Sequence, residues 1–275
     1  MYRRRVLALC GLAVAGAGCQ SETDETQTVT PVPSPAVSEV DTGPPPAVTV
    51  TDAVVVPGVV LPAVDSISVK PADGQYLVLT ATVEGSRVDR DAFSFRFDGS
   101  THSPETFRNG LYRDGEWGRQ FTETGGPLVF GLPETGSPSD ARLSWPDGEW
   151  MPPETVRTRL EAPLPSFDIT FDGPERVAEP ARPTLEITVT NTGDVSGRYV
   201  IALNRTGPRI AYTPVDRFDG ELDPGETESI THEGKSPYVD GTEPRAVIYR
   251  LRAPEDHNDA THRIKPVDEE TATES

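Results

Sequence analysis

Cysteine is almost absent from this chain of 275 residues, and the two that occur, Cys10 and Cys19, both lie near the amino terminus. No other cysteine remains to build a disulfide framework, a cysteine zinc site or a thiolate-ligated metal centre. Folding without such cross-links has to rely on an apolar core. The length suffices for two ordinary domains, since domains usually run to about 100–150 residues.

Lysine is scarce as well: it supplies three of the 25 basic residues, against 44 acidic residues and a net charge of −19. Such a charge opposes binding to nucleic acid and to anionic lipid headgroups, so we expect no nucleic-acid partner. An acidic, lysine-poor chain resembles the proteins of extreme halophiles, whose surfaces stay hydrated in concentrated salt. This resemblance favours a haloarchaeal source, and the alternative is an ordinary acidic secreted protein.

Motifs of common enzyme and metal sites are also missing. The sequence contains no Gly-x-Ser-x-Gly elbow, no Gly-x-x-x-x-Gly-Lys phosphate loop and no Asp-x-Asp-x-Asp-Gly calcium loop. His102 lies among hydroxyls in Ser100–Ser103, where a solvated loop is the simpler interpretation. His257 and His262 neighbour acidic residues, but their spacing fits neither one helical face nor a common zinc motif. We therefore predict no catalytic residue, no metal site and no cofactor.

A sustained helical period is absent from residues 48–160, which argues against an α/β unit. Apolar runs of strand length occur instead at Val48–Val56, Val64–Val69, Tyr76–Val83, Phe93–Phe97, Pro127–Phe130 and Ala141–Trp145. Pro57-Gly58, Asp73-Gly74 and Asp98-Gly99 lie between them as expected turns. In Phe93–Phe97 the three phenylalanines alternate with polar residues, as in a half-buried strand. The pattern predicts an all-β fold, a sandwich or a barrel.

An export signal is present at the amino terminus. Arg3, Arg4 and Arg5 precede the apolar residues 6–15, a run far shorter than the roughly 20 residues that cross a bilayer core. Arg3 and Arg4, followed by any residue and two apolar ones, fit the twin-arginine export pattern. Three successive arginines make the register ambiguous, so the general secretory route stays open.

The small residues Gly16-Ala17-Gly18 before Cys19 resemble the lipobox of prokaryotic lipoproteins. In that family the signal is cut before the cysteine, whose nucleophilic thiol then carries a diacylglycerol. The resemblance implies a signal peptide over residues 1–18 and a lipid on Cys19. Two acyl chains give stable anchoring, so the protein would be held at the cell membrane and face the extracellular side.

A stalk is expected over residues 19–47. Residues 20–46 contain no lysine, arginine or aromatic residue and many Thr, Pro, Ser, Glu and Asp residues, so this segment cannot bury a core. We predict a disordered, lipid-anchored stalk here. We also expect residues 253–275, which are acidic and poor in apolar side chains, to form a disordered tail.

The first expected domain spans residues 48–162. Tyr76–Val83, Gly126–Pro133 and Ala141–Trp145 look like the immunoglobulin-like domain of unknown function that recurs in prokaryotic lipoproteins. In that domain the late hairpin is an apolar strand, a loop and a second apolar strand. Glu84-Gly85-Ser86 departs from the family, where a turn with Asn and Gly is more usual.

The second expected domain spans residues 163–252, with predicted strands at Phe167–Phe171, Leu185–Thr190, Tyr199–Asn204, Thr227–Thr231 and Ala246–Leu251. A strand ending in Asn191-Thr192-Gly193 is followed by the Leu-x-Pro-Gly-Glu-Thr motif of Leu222–Thr227. This pair of motifs resembles the small surface sandwiches of the cell-adhesion-related (CARDB-like) and fibronectin-like kind. The resemblance implies a fold and a surface role, since fold alone does not set function.

Aromatic residues concentrate in the first domain, namely Phe107, Tyr112, Trp117, Phe121, Trp145 and Trp150. Such a cluster suits a stacking platform for a sugar or peptide, but packing in the core is the more frequent use of these residues.

The sequence thus predicts two tandem immunoglobulin-like β-sandwich domains after a signal peptide and a stalk. We expect a non-enzymatic role in binding, adhesion or envelope assembly, with the membrane as one partner through Cys19 and an unknown extracellular protein or glycan as another. Two alternatives stay open. One is a substrate-binding lipoprotein for a transporter, which usually needs α/β lobes, and the other is an exported hydrolase that acts through carboxylates alone.

Overall fold

The structure, a computed structural model, describes residues 45–113 and 115–267 of the chain. Its strands are β1 (Ala47–Pro62), β2 (Ile67–Glu84), β3 (Ser94–Phe97), β4 (Ser100–His102), β5 (Leu111–Arg113), β6 (Glu116–Arg119), β7 (Gly125–Leu132), β8 (Arg142–Trp145), β9 (Gly148–Trp150), β10 (Phe167–Asp172), β11 (Arg176–Val177), β12 (Thr184–Asn191), β13 (Gly197–Thr206), β14 (Thr213–Leu222), β15 (Thr227–Glu233), β16 (Val247–Arg252) and β17 (Ala260–Pro266). One α-helix, α1 (Glu154–Glu161), joins them in the described part of the chain. The predicted all-β class is confirmed.

The first sandwich consists of the sheets β1-β2-β7 and β4-β3-β8-β9. Its core lies between them, where Phe93, Phe95 and Phe97 are buried as their alternation predicts. The rings of Phe95 and Phe130 meet across this core with centroids 5.6 Å apart. Strands β5 and β6 form a separate two-stranded hairpin.

The second sandwich consists of the sheets β10-β12-β15 and β11-β17-β16-β13-β14. Leu185, Ile187 and Val189 of β12 point into its core, and Tyr249 and Leu251 of β16 face them. This alternation of buried and polar residues is the period-2 pattern of a strand with one face in a core. The two cores are separated along the chain between Leu160 and Phe167.

Two predicted turns in the first sandwich are wrong. Pro57-Gly58 and Asp73-Gly74 lie inside the long strands β1 and β2, which pair with each other from Ala47↔Glu84 to Pro62↔Ile67. β1 tolerates Pro57 because the strand lies at a sheet edge and the register shifts between Val56 and Gly58. Gly74 is required for close approach, since a Cβ there would lie 2.4 Å from the carbonyl oxygen of Leu132.

Two further elements differ from expectation. The predicted disordered tail is wrong for residues 253–267, because β17 pairs with β16 and buries Ile264 in the second core. The remaining residues of that tail, 268–275, lie outside the described residues. Helix α1 escaped prediction because two turns of helix bury only Val156 and Leu160, too few positions to establish a period.

The two motifs of the second sandwich contact each other through Asn191. Its buried side-chain amide donates to the carbonyl oxygens of Val195 and Leu222, each at 2.9 Å, and its Oδ1 accepts from Gly193 N at 2.9 Å. The main chain adds a bond from Gly225 N to Asn191 O at 2.9 Å. The spacing of the two motifs therefore reflects one hydrogen-bonded corner that closes the sandwich.

A third apolar cluster joins the two sandwiches. The face of β1 and β2 that points away from the first core packs on Val200 and Ala202 of β13. Asn204 lies on the same face of β13 and is fully buried. Its side chain forms hydrogen bonds with both the main-chain N–H and the C=O of Ile67 in β2. Its Nδ2 donates to Ile67 O and its Oδ1 accepts from Ile67 N, each at 2.8 Å. The described residues accordingly belong to one compact unit.

We predict that Asn204→Leu lowers the free energy of unfolding by about 2–5 kcal/mol, because it leaves the buried N–H and C=O of Ile67 without partners. Urea denaturation measures the change. Asn109→Leu is the matched control: this exposed amide donates one bond, to Pro62 O at 3.1 Å, and its loss should cost less than about 1.5 kcal/mol. Equal stability of Asn204→Leu and the wild type would contradict the role given to this side chain.

A pH effect on stability is expected from His232 of β15. Burial lowers the pKa of this imidazole below its usual 6.5, and nearby Lys235 adds to the effect while Asp216 opposes it. The unfolded chain therefore binds the proton more readily, so stability is intact above about pH 6.5 and falls as the pH drops toward the folded pKa. The free energy of unfolding, measured by urea denaturation, should fall less between pH 7 and pH 5 in His232→Gln than in the wild type. An equal fall in both proteins would refute the role given to His232.

Candidate functional site

A cleft opens where the two sandwiches meet, and we name it the inter-sandwich cleft. Its volume is about 160 Å³. The lining residues are Asp52, Val54, Val56, Gly58, Val59 and Val60 of β1, Val78 of β2, Leu111, Tyr112 and Arg113 of β5, Arg198 of β13, and Arg217 and Asp219 of β14. The floor is therefore aliphatic, and the charged side chains of the lining come from β1, β5, β13 and β14.

Ion pairs hold the charged side chains of the cleft in place. Arg113 Nη2 lies 2.8 Å from Asp52 Oδ2. Asp219 accepts from two guanidinium groups: Oδ2 lies 3.0 Å from Arg198 Nη2, and Oδ1 lies 2.8 Å from Arg217 Nη1. The side chains around Asp219 are only 18–25% exposed, so these pairs are screened less than surface pairs.

The register of the β13–β14 hairpin explains this arrangement. Val200 pairs with Asp219 and Ala202 pairs with Arg217. Directly opposed residues in an antiparallel pair share a face, so both charged residues of β14 lie on the outer face of β13, with Arg198 two residues before Val200. The small side chain of Ala202 leaves space beside Arg217.

A smaller recess of about 120 Å³ continues the cleft, since both are lined by Val54 and Arg198. Arg159 of α1 and Glu221 of β14 complete its polar lining. Burial lowers the pKa of the Arg159 guanidinium, while Glu221 acts in the opposite direction. The Nε atoms of Arg159 and Arg198 are buried and have no acceptor among the described residues. These two N–H groups of the recess therefore have no partner within the part of the chain that the structure describes.

The aromatic residues of the first sandwich divide into two groups. Phe121, Trp145 and Trp150 pack against the first core, as the simpler interpretation predicts. Trp117 of β6 differs, because 48% of its surface is exposed. Its ring meets Tyr112 edge-on, with centroids 5.8 Å apart, and Tyr112 lines the inter-sandwich cleft. Trp117 is therefore the aromatic residue of this set that is placed to contact a partner beside the cleft.

Two of the histidines that sequence reasoning considered, His102 and His262, lie on different strands, β4 and β17. His102 lies on β4, opposite Phe95, so the loop expected there is wrong. His262 Nε2 lies 3.2 Å from Pro174 O. Residues 45–113 and 115–267 contain no group of three or more His, Cys, Asp or Glu side chains that could hold a metal ion.

The other predicted site residues, Arg3, Arg4 and Cys19, lie outside the described residues, as do the predicted signal peptide and nearly all of the stalk. Within the described part of the chain no helix has the length and hydropathy of a membrane span. Sequence reasoning missed the cleft, since its residues come from five separate strands and meet only through the register of each hairpin.

Comparison with known proteins gives structural likeness alone. No protein-family model matches this chain, and no curated protein does. A Listeria innocua β-glucosidase in complex with isofagomine is similar over 38% of this chain and 17% of its own, with 17% identity and a TM-score of 0.32. An Erythrobacter marinus β-glucosidase gives 23% identity over 38% of this chain and 16% of its own, with a TM-score of 0.31. The chain thus spans about a sixth of the length of these enzymes.

A CARDB domain is also among the structural neighbours. It comes from a Pyrococcus furiosus protein, solved in complex with di-metal ions, and matches 38% of this chain and 89% of its own. The identity is 14% and the TM-score is 0.28. At such scores neither this domain nor the β-glucosidases carry an argument about function.

Asp219 is expected to stabilise the wall of the cleft. Asp219→Asn should lower the free energy of unfolding by about 1–3 kcal/mol, because two partly buried guanidinium groups lose their shared carboxylate. Glu233→Gln is the control: it breaks a pair with Arg182 whose side chains are 56% and 66% exposed, and should change stability by less than about 1 kcal/mol. Urea denaturation of both variants decides, and equal costs would contradict the prediction.

Proposed function

We propose that this chain is a lipid-anchored cell-surface protein of a halophilic prokaryote, with a non-enzymatic role in binding, adhesion or envelope assembly. The inter-sandwich cleft carries the binding part of the proposal. It combines an aliphatic floor with fixed polar side chains, the usual composition of a ligand site.

The charged groups of the cleft support binding in preference to acid–base chemistry. The oxygens of Asp52 and Asp219 accept from arginines at 2.8–3.0 Å. A carboxylate whose oxygens are engaged by guanidinium donors in this way is held in one orientation and acts as a fixed group of the wall. Fixed opposite charges give orientation and specificity to a partner.

The anchoring part rests on Cys19 and the residues before it. A basic start and a short apolar run favour export. Small residues before a cysteine favour cleavage and lipidation at that cysteine. The partners are then the membrane, through the lipid, and an extracellular protein or glycan, through the body of the protein. Export as a folded body through the twin-arginine route suits Arg3 and Arg4.

Cys19→Ala tests the anchor in the source organism or a related host. The variant should leave the membrane fraction and accumulate in the medium or in an uncleaved form, since no thiol remains to take the lipid. Immunoblotting of membrane and soluble fractions measures this. Cys10→Ala is the matched control, because it removes the other cysteine and should leave the fractionation unchanged.

Membrane retention of Cys19→Ala at the wild-type level would refute the lipid anchor. Mass spectrometry of the wild-type amino-terminal peptide gives a second measurement, in which a diacylglycerol on Cys19 is the expected mass increment. An unmodified peptide that retains residues 1–18 would contradict both cleavage and lipidation.

A further inference from the structure

We propose that the inter-sandwich cleft binds an acidic peptide segment of a partner protein, with one aliphatic side chain in the cavity and carboxylates on the arginines around it. The inference deepens the proposed function, on which it rests, by naming the chemistry of the partner.

The aliphatic floor supports the anchor residue. Val56, Val59, Val60 and Val78 are nearly fully buried around the cavity, and Leu111 closes one side. A volume of about 160 Å³ holds about five water molecules, at about 30 Å³ each, or one aliphatic side chain in their place. Ligand pockets for larger molecules run to about 300–1,000 Å³, so a single side chain fits this cavity better than a whole small molecule.

The charge of the cleft supports acidic neighbours of that anchor. Three arginines and two aspartates line it, for a local charge of +1 in a chain whose net charge is −19. Glu221 of the adjoining recess is balanced by Arg159. The cleft is therefore a positive site on an acidic protein. Charge complementarity favours an acidic segment at this site over a basic one.

Hydrogen-bonding capacity remains at this site. A guanidinium group has five N–H donors, and Arg198 uses Nη1 and Nη2 on Glu221 and Asp219 while its Nε has no acceptor among the described residues. Arg159 donates through Nη1 and Nη2 to the carbonyl oxygens of Ala162 and Pro163, and its Nε likewise has no acceptor there. The two buried Nε atoms are the donors that a carboxylate of the partner would satisfy if it entered the recess.

Trp117 favours a protein as the partner. Tryptophan, tyrosine and arginine are the residues enriched at the energetic centres of protein interfaces, and Trp117, Tyr112 and Arg113 occur together on the β5–β6 hairpin at the edge of the cleft. The aliphatic floor also suits a hydrocarbon side chain better than a sugar ring covered by hydroxyl groups.

Isothermal titration calorimetry tests the proposal with the full chain purified in detergent, at the lowest salt concentration that keeps it folded. The probe is a synthetic seven-residue peptide with a central leucine and three acidic residues on each side. Replacing the leucine by alanine, or the acidic residues by their amides, should weaken binding by about tenfold or more. An oligomer of glucuronic acid tests the glycan alternative.

Variants of the cleft should change the affinity in opposite directions. Arg113→Gln and Arg198→Gln should each weaken binding by about tenfold, and Val54→Phe should do the same by filling the cavity. Asp52→Asn should strengthen binding, because it raises the local charge. Arg142→Gln is the matched control, since it removes an exposed arginine of β8 outside the cleft, and its affinity should stay within about twofold of the wild type.

Thermal unfolding of each variant verifies that it is folded, and Asp52→Asn keeps the test valid if an arginine variant unfolds. Equal binding of the acidic and amide peptides, no binding of either, preference for the glucuronic acid oligomer, or equal weakening by Arg142→Gln would overturn the acidic-peptide assignment. Such a result would leave the anchored location intact, because the fractionation of Cys19→Ala tests it separately. If instead the wild-type protein proves not to be anchored while the peptide still binds, the anchor proposal fails and the acidic-peptide assignment stands.

Discussion

The relation between the two sandwiches depends on the carboxamide of Asn204. The cluster around it is aliphatic, and apolar contact has no direction, so Val200 and Ala202 alone would allow the sheets to slide against each other. Two hydrogen bonds to the main chain of one residue, Ile67, remove that freedom. The cleft inherits its geometry from this contact, because Asp52 belongs to the first sandwich while Arg198 and Asp219 belong to the second.

Local alternation was sufficient to predict much of each sandwich. The three phenylalanines of β3 and the apolar triad of β12 are buried as predicted, since a strand with one face in a core leaves a period of two in its sequence. The turns at Pro57-Gly58 and Asp73-Gly74 were wrong because proline and glycine also serve bulges and close approaches inside strands. Strand β17 escaped prediction because it buries Ile264 alone among polar neighbours. A single buried apolar residue does not establish the alternation that indicates a strand.

The joining of the sandwiches left one signal in the sequence. Residues 199–203 of β13 are apolar without alternation, a pattern typical of a strand covered on both faces, and β13 does lie between the second core and β1. The inter-sandwich cleft left no comparable signal. Arg198, Arg217 and Asp219 are ordinary polar positions of a hairpin until its register and the third cluster place them beside β5. A site assembled from tertiary contacts between strands far apart in the chain needs the fold before it can be recognised.

The pairing of β11 with β17 has a consequence for how the second sandwich is completed during synthesis. Arg176 pairs with Lys265 in parallel, so β11, an early strand of the second sandwich, and β17, its last described strand, become neighbours in one sheet. On a ribosome β11 is made before β12 to β16, and Ile264 of β17, a buried residue of the second core, is made after them. Until that moment β16 has an open edge on the side that β17 later occupies. The pairing of β11 with β17 is therefore a late, long-range step of folding, and a chain that has not yet formed β17 leaves the edge of β16 open to mispairing.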